Sequence, residues 1–317
     1  MKRKLLSLIF ITSVFWSIQA ANAQMVNYKI LKDDPHDVTN FWLYLDALQF
    51  DMGAKNMDGA SFNIGLSSTA NYKKNLGADF IFHYGWLTMG KSKNNSELNN
   101  HSKLEVGGFY TITLRNKIVS TKVVLSSRTT YSGSTRYTQT RSIQVPATKH
   151  LAMGVRGGFY TNGGVFGTKD IENVPNIPSA INYRKSGLYV GLLSVSTKNV
   201  FINTDTDGKA HNSGRMRLYA DILFLPVTSA SLNGENYKSA IGTDIFGFRF
   251  GMQSLPVELR KVKDLNTKTK GMSLGAEVGV RPIDGFYLAC NVSFCLMRKK
   301  LSLLGYEAPA SSYNTSE

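Results

Sequence analysis

From residue 41 onward, apolar and polar positions alternate in runs of about ten residues, separated by clusters of Asn, Ser, Lys and Gly. In an extended chain successive side chains point to opposite faces, so alternation of this kind predicts strands. In 61–70, Phe62, Ile64, Leu66 and Ala70 share one face and Ser61, Asn63, Gly65, Ser67 and Thr69 the other. The same two-faced pattern runs through 104–114, 215–224, 244–253, 272–281 and 286–296. Weaker alternation marks 42–51, 78–89, 122–131, 135–145, 151–161 and 187–195. These runs exceed the ~5–6 residues of an ordinary soluble strand and match the ~10 that a tilted strand needs to cross a bilayer. They predict about 12 strands, within a range of about 10 to 14, and an even number returns both chain ends to one side. Connections 90–103, 162–185 and 254–270 are long, whereas 72–76 and 282–285 are tight turns. With this count 254–270 falls on the rim where short turns belong.

Alternation alone fits a soluble sandwich with an apolar core or a membrane barrel with a polar one. The polar positions choose between them. Asp79, His83, Glu105, Arg156, Arg217, Asp221, Arg249, Glu277 and Arg281 stand on the polar faces, and are candidates for lining a lumen. Glycines 85, 107, 154, 158, 247, 251, 275 and 279 stand among them. Glycine weakens an open strand, but gives large charged neighbours room inside a closed one. Lysine is nearly absent from the strongest strands, as expected if their apolar faces meet lipid, where a charge costs about 2–4 kcal/mol at the midplane.

This combination in 104–114, 216–224, 272–281 and 286–296 resembles the bacterial outer-membrane β-barrel proteins, a generic likeness over most of the chain. The resemblance implies an all-β fold, an antiparallel transmembrane β-barrel at 41–300, in the outer membrane of a Gram-negative bacterium. It also implies a passive pore or transport-type barrel, or alternatively a non-conducting structural or assembly barrel in an envelope or secretion complex. Such barrels often end on a strand with a terminal aromatic residue. This chain instead continues into a polar tail, 301–317. The expected partners are outer-membrane lipids, and envelope proteins reached through the long polar loops.

The N-terminal segment agrees with export. Lys2, Arg3 and Lys4 precede an apolar run to Ile18, and Ala21-Asn22-Ala23 is a small-x-small cleavage pattern, so 1–23 reads as a signal peptide. The polar, Pro-broken stretch 24–40 reads as a periplasmic lead-in. No later run approaches the ~20 apolar residues of a membrane helix. The formal charge is +15, or +12 without Lys2, Arg3 and Lys4; the bases look scattered, and no nucleic-acid motif accompanies them.

Little points to catalysis or to a cofactor. Cys290 and Cys295 are five apart in one strand, hence on opposite faces and unable to pair. The run Asn203–Gly208 has the oxygen side chains that open a calcium loop, but Gly214 stands where the closing Glu belongs. No metal or cofactor is expected. None of His36, His83, His101, His150 and His211 lies in a nucleophile motif, and His101 and His211 read as loop residues. His83 and Asp79 share a face ~13 Å apart along one strand. The expectation is a protein that is not an enzyme, with an interior whose arginines pair with Glu105, Asp221 and Glu277. A surplus of arginine there would favour anions in an open channel.

Overall fold

The structure, a computed structural model, describes residues 26–35, 41–55, 60–71, 75–89, 98–168, 178–241, 243–255 and 271–299. The readings made for 1–23, for His36, for 256–270 and for the tail 301–317 lie outside the described residues. The strands are β1 (Tyr28–Asp33), β2 (Phe41–Gly53), β3 (Ser61–Asn71), β4 (Leu76–Thr88), β5 (Ser102–Ser132) and β6 (Thr135–Gly167). They continue with β7 (Ala180–Thr204), β8 (Gly208–Leu232), β9 (Glu235–Asn236), β10 (Phe246–Leu255), β11 (Met272–Arg281) and β12 (Gly285–Lys299).

All twelve belong to one antiparallel sheet, and the pairings of β2 with β12 and of β7 with β8 close it into a barrel. The ring runs β2 to β8 in chain order, then β10, β11, β12 and back to β2. The two strands outside it are β1, laid along the edge of β7, and the two-residue β9 on β8.

The total of twelve is the expected one, but its partition differs. The runs 104–114 and 122–131 are one strand, β5, and 135–145 and 151–161 are one strand, β6. The lead-in stretch contains β1. One rim carries the turns after β3, β5 and β7, together with the start of β2 and the end of β12. β10 also ends at this rim and β11 begins there. Much of 162–185 is strand, since β6 runs to Gly167 and β7 starts at Ala180.

Facing is inverted relative to a soluble protein. Phe246, Phe248 and Phe250 of β10 point outward with 64%, 48% and 56% of their surface exposed, and no second sheet covers them. Similar exposed rows run along β4 (Phe80, Phe82, Tyr84, Trp86), β8 (Met216, Leu218, Ile222, Phe224) and β12 (Phe286, Phe294, Leu296). Inward positions are polar and buried. A contiguous apolar exterior over a charged interior is the arrangement of a barrel solvated by lipid. Among the described residues no helix is long and apolar enough to cross a membrane. Spanning therefore falls to the strands.

β5 to β8 are 25 to 33 residues long, against 10 to 15 for the other strands of the ring. The excess projects beyond the turn rim as two hairpins. There the outward positions change role. Val123, Val145 and Ala147 of the β5–β6 hairpin pack against Val200, Ile202 and Ala210 of the β7–β8 hairpin in a buried apolar core. Asn212 Nδ2 donates to the Lys122 carbonyl (2.6 Å), and Arg141 pairs with Asp207 (3.0 Å), tying the hairpins together. β1 fills the edge of β7 where β6 diverges; Thr148 donates its backbone N–H and hydroxyl to Asp33.

Candidate functional site

Buried ionisable side chains converge in the interior of the ring, and β10 holds its centre. Asp221 and Arg249 occupy paired positions on β8 and β10, and both point inward because Ile222 and Phe248 take the lipid side. The Arg249 guanidinium, 0% exposed, donates twice to Glu105 across the lumen (2.7 and 3.0 Å). Its Nε donates to Asp221 (2.7 Å) and Nη1 to Glu277 (3.3 Å). Arg156 bonds the same Glu105 and lies 3.6 Å from Asp221. Lys103 donates to Glu277 (3.1 Å), which also accepts from the hydroxyls of Tyr219 (2.6 Å) and Tyr287 (2.8 Å). The rings of Tyr160, Tyr189 and Tyr219 surround Arg249 at 4.9–5.5 Å from its centre. Charge-assisted and bidentate bonds of this kind offset the lost hydration of the buried charges, while Asp221 Oδ1 and Arg156 Nε face each other without a hydrogen bond.

Further struts lie on either side of this layer. Toward the loop rim, Arg281 bonds Asp51, pairs with Asp284 (3.2 Å) and stacks on Tyr287 (3.8 Å). Tyr183 donates to Asp284 (2.9 Å). Toward the turn rim, Arg217 forks onto Asp79 (2.7 Å for Nη1), which also accepts from Thr69 (3.0 Å). His83 Nε2 meets Asp46 (2.7 Å), which accepts from Ser67 (3.0 Å). Apolar groups stop both ends: Leu98, Val165, Ile181, Leu232, Ile241 and Ile283 at the loop rim, and Trp42, Tyr44 and Leu255 at the turn rim.

Many of these bonds join strands that are not neighbours, such as β10 with β5, β8 with β4, β11 with β2 and β4 with β2. They brace opposite walls. The space left among Asp46, His83, Lys103, Arg156, Arg217 and Glu277 is a cavity of about 70 Å³. By volume it admits a few waters.

All nine lumen candidates, Asp79, His83, Glu105, Arg156, Arg217, Asp221, Arg249, Glu277 and Arg281, are placed inside the ring and buried. Glu105, Arg156, Asp221, Arg249 and Glu277 form one network, whereas Arg217 and Arg281 take Asp79 and Asp51. His83 turns to Asp46 of β2 and not to Asp79 of its own strand. Among the described residues the interior holds no arginine surplus: Asp46, Asp51, Asp79, Glu105, Asp221, Glu277 and Asp284 are seven buried carboxylates, set against six buried lysines and arginines, Lys103, Lys185, Arg156, Arg217, Arg249 and Arg281, besides His83 and His101.

Sequence reasoning missed Asp46 and Asp51 because an odd spacing puts them on opposite faces of a regular strand. An irregularity in β2 between Asp46 and Gln49 returns both to the lumen. Lys103, expected in a connection, is the second residue of β5. His101 is buried, with Nδ1 3.1 Å from Asn63 Oδ1, and His211 lies in β8, stacked on Phe201 (5.6 Å). His101 thus stands in the connection between β4 and β5, one residue before β5, as expected, whereas His211 is a strand residue and not the loop residue expected. Asn203–Gly208 spans the β7–β8 turn, where the Thr204 hydroxyl accepts from Asp207 N–H (3.1 Å) and Asp207 is engaged by Arg141. Cys290 faces outward and Cys295 packs inward against the Trp42 cluster, on opposite faces as expected.

No protein-family model matches the sequence, and none of the curated proteins matches it. Among solved structures the chain is similar to OmpT, an outer membrane protein of Vibrio cholerae. The match to its loop L8 deletion mutant has 11% identity and a TM-score of 0.17, over 83% of this chain and 100% of that one. For the in-vitro folded form the values are 11% and 0.16, over 84% and 99%. At that distance the likeness adds nothing to the barrel topology already described.

Proposed function

We propose that this protein is a non-conducting β-barrel of the bacterial outer membrane, a membrane-held support for the two-hairpin extension on its turn rim. The observation that carries the reading is the filled lumen, with Arg249 bonded to three carboxylates from three other strands and no solvent reaching it. A passive pore needs a continuous aqueous path, whereas narrow barrels are filled by their own side chains. The apolar outer belt and the exported N-terminal pattern support the outer membrane, with the turn rim toward the periplasm.

This reading assigns no reaction to the interior. Ser67 donates to Asp46 and not to His83, so the three do not form a nucleophile–base–acid relay. The partner class that fits is an envelope protein met by the extension. Its tip, 126–140, is an exposed ribbon on both faces, with Arg128, Arg136, Tyr131 and Tyr137 available for contact. Purified protein in a planar lipid bilayer tests the proposal. The expected record is flat, and reproducible unit conductance steps that Arg249 substitutions enlarge would restore the pore.

A further inference from the structure

The outward face of β6 reads Val155, Met153, Leu151 and then Lys149 toward the turn rim. Lys149 is the first charge after the lipid-facing residues. It is directly paired with Lys117 of β5 on one side and Lys198 of β7 on the other. Directly paired residues share a face, so three ammonium groups stand in one row across three adjacent strands. Like charges placed opposite each other oppose sheet formation, and among the described residues none of the three pairs with a carboxylate. The sequence holds no Asp or Glu from 106 to 169. Asp33, which β1 brings to this region, is already taken by the N–H and hydroxyl of Thr148 (2.8 and 2.6 Å).

Lys117 is exposed, whereas Lys149 and Lys198 border a recess. Past Lys149 and Lys198 the outward positions become Ala147, Val200 and Ile202, buried under the folded-over β5–β6 hairpin. Val119, Thr121, Lys149, Ser196, Lys198 and Met216 line a recess of about 450 Å³ at this junction, within the size range of small-ligand sites. Two residues further along β7 and β8, a second recess of about 390 Å³ opens among Ile112, Met153, Leu192, Leu218 and Phe250. Ser194 and Leu218 line the apolar recess and Ser196 and Met216 the cationic one, so the two adjoin on the outer wall.

We propose that this outer wall of β5 to β8 binds one anionic phospholipid, its phosphate between Lys149 and Lys198 and its acyl chains in the apolar recess. The charge complements a phosphate, and the height, at the edge of the apolar belt, is that of a headgroup layer. Lysine stems cover apolar surface while their ammonium groups reach that layer. The proposal rests on the membrane reading given above.

The test uses the full chain purified in neutral detergent, with heat-modifiable gel migration first reporting that the barrel is folded. Dioleoylphosphatidylglycerol, dioleoylphosphatidylcholine and inorganic phosphate are then titrated separately, and retained adducts are counted by native mass spectrometry. The expected result is one retained phosphatidylglycerol, favoured over phosphatidylcholine by about tenfold. That preference is lost in the double variant K149Q/K198Q, whose migration stays heat-modifiable. Equal retention of the two lipids, or unchanged preference in the double variant, overturns the site while leaving the membrane barrel intact. Phosphate that displaces the lipid completely assigns the lysines to a free anion and overturns the lipid. A chain that stays folded and soluble without detergent removes the membrane reading, and the site with it.

Discussion

At the scale of residues the interior is held by charges that water cannot reach. A buried ion pair is weak evidence for stability against an apolar replacement, yet removing one partner leaves the other stranded. Arg249 is the extreme case, because Glu105, Asp221 and Glu277 all bond it. Arg249→Met is expected to cost about 3–5 kcal/mol in reversible urea unfolding of the lipid-reconstituted protein. Arg249→Lys, which keeps the charge but loses the fork, is expected to cost less. Glycine does the complementary work: a Cβ on Gly251 would overlap the ring of Tyr219, and one on Gly107 the hydroxyl of Tyr189. The charged positions and their glycines were legible in the sequence because both sit on the polar side of regular strands. Asp46, Asp51 and the tyrosine lining were not, since a strand irregularity shifts parity and tyrosine suits either face.

At the scale of elements, the same strands serve two environments. Within the ring the outward positions of β5 to β8 meet lipid and the inward ones are ionic. Beyond the turn rim the outward positions become the apolar core shared by two hairpins. The irregularities in β5 near Thr111 and Val124 mark the passage. This is why β8, β10, β11 and β12 could be read cleanly by face, whereas β5 and β6 each looked like two strands. Their alternation weakens between the two environments, and their tips, polar on both faces, have no period at all. Val145→Asp places a carboxylate among Val123, Val200 and Ile202 and is expected to cost roughly 3 kcal/mol or more locally. The expected outcome is trypsin cleavage within 115–150 at rates well above the parent, with the barrel still heat-modifiable on a gel. Loss of the folded barrel in that variant would mean that the hairpins and the ring are one cooperative unit.

At the scale of the whole molecule, the account depends on a protein turned inside out: oil-facing side chains outside, struts of arginine and carboxylate inside. The class of fold was legible because length and alternation persist through most of the chain. The filled state of the lumen was not, since it depends on which residues meet across the ring, and no local pattern carries that. The native thiol of Cys290 stands on the outer wall between Leu288 and Val292, and reports on the arrangement directly. With Cys295 changed to Ser, a nitroxide on Cys290 in lipid vesicles can be challenged with oxygen, which concentrates in lipid, and with a water-soluble nickel chelate. The account predicts strong relaxation by oxygen and almost none by the chelate. Chelate accessibility equal to that of a label on the exposed 126–140 ribbon would place this wall in water and contradict it.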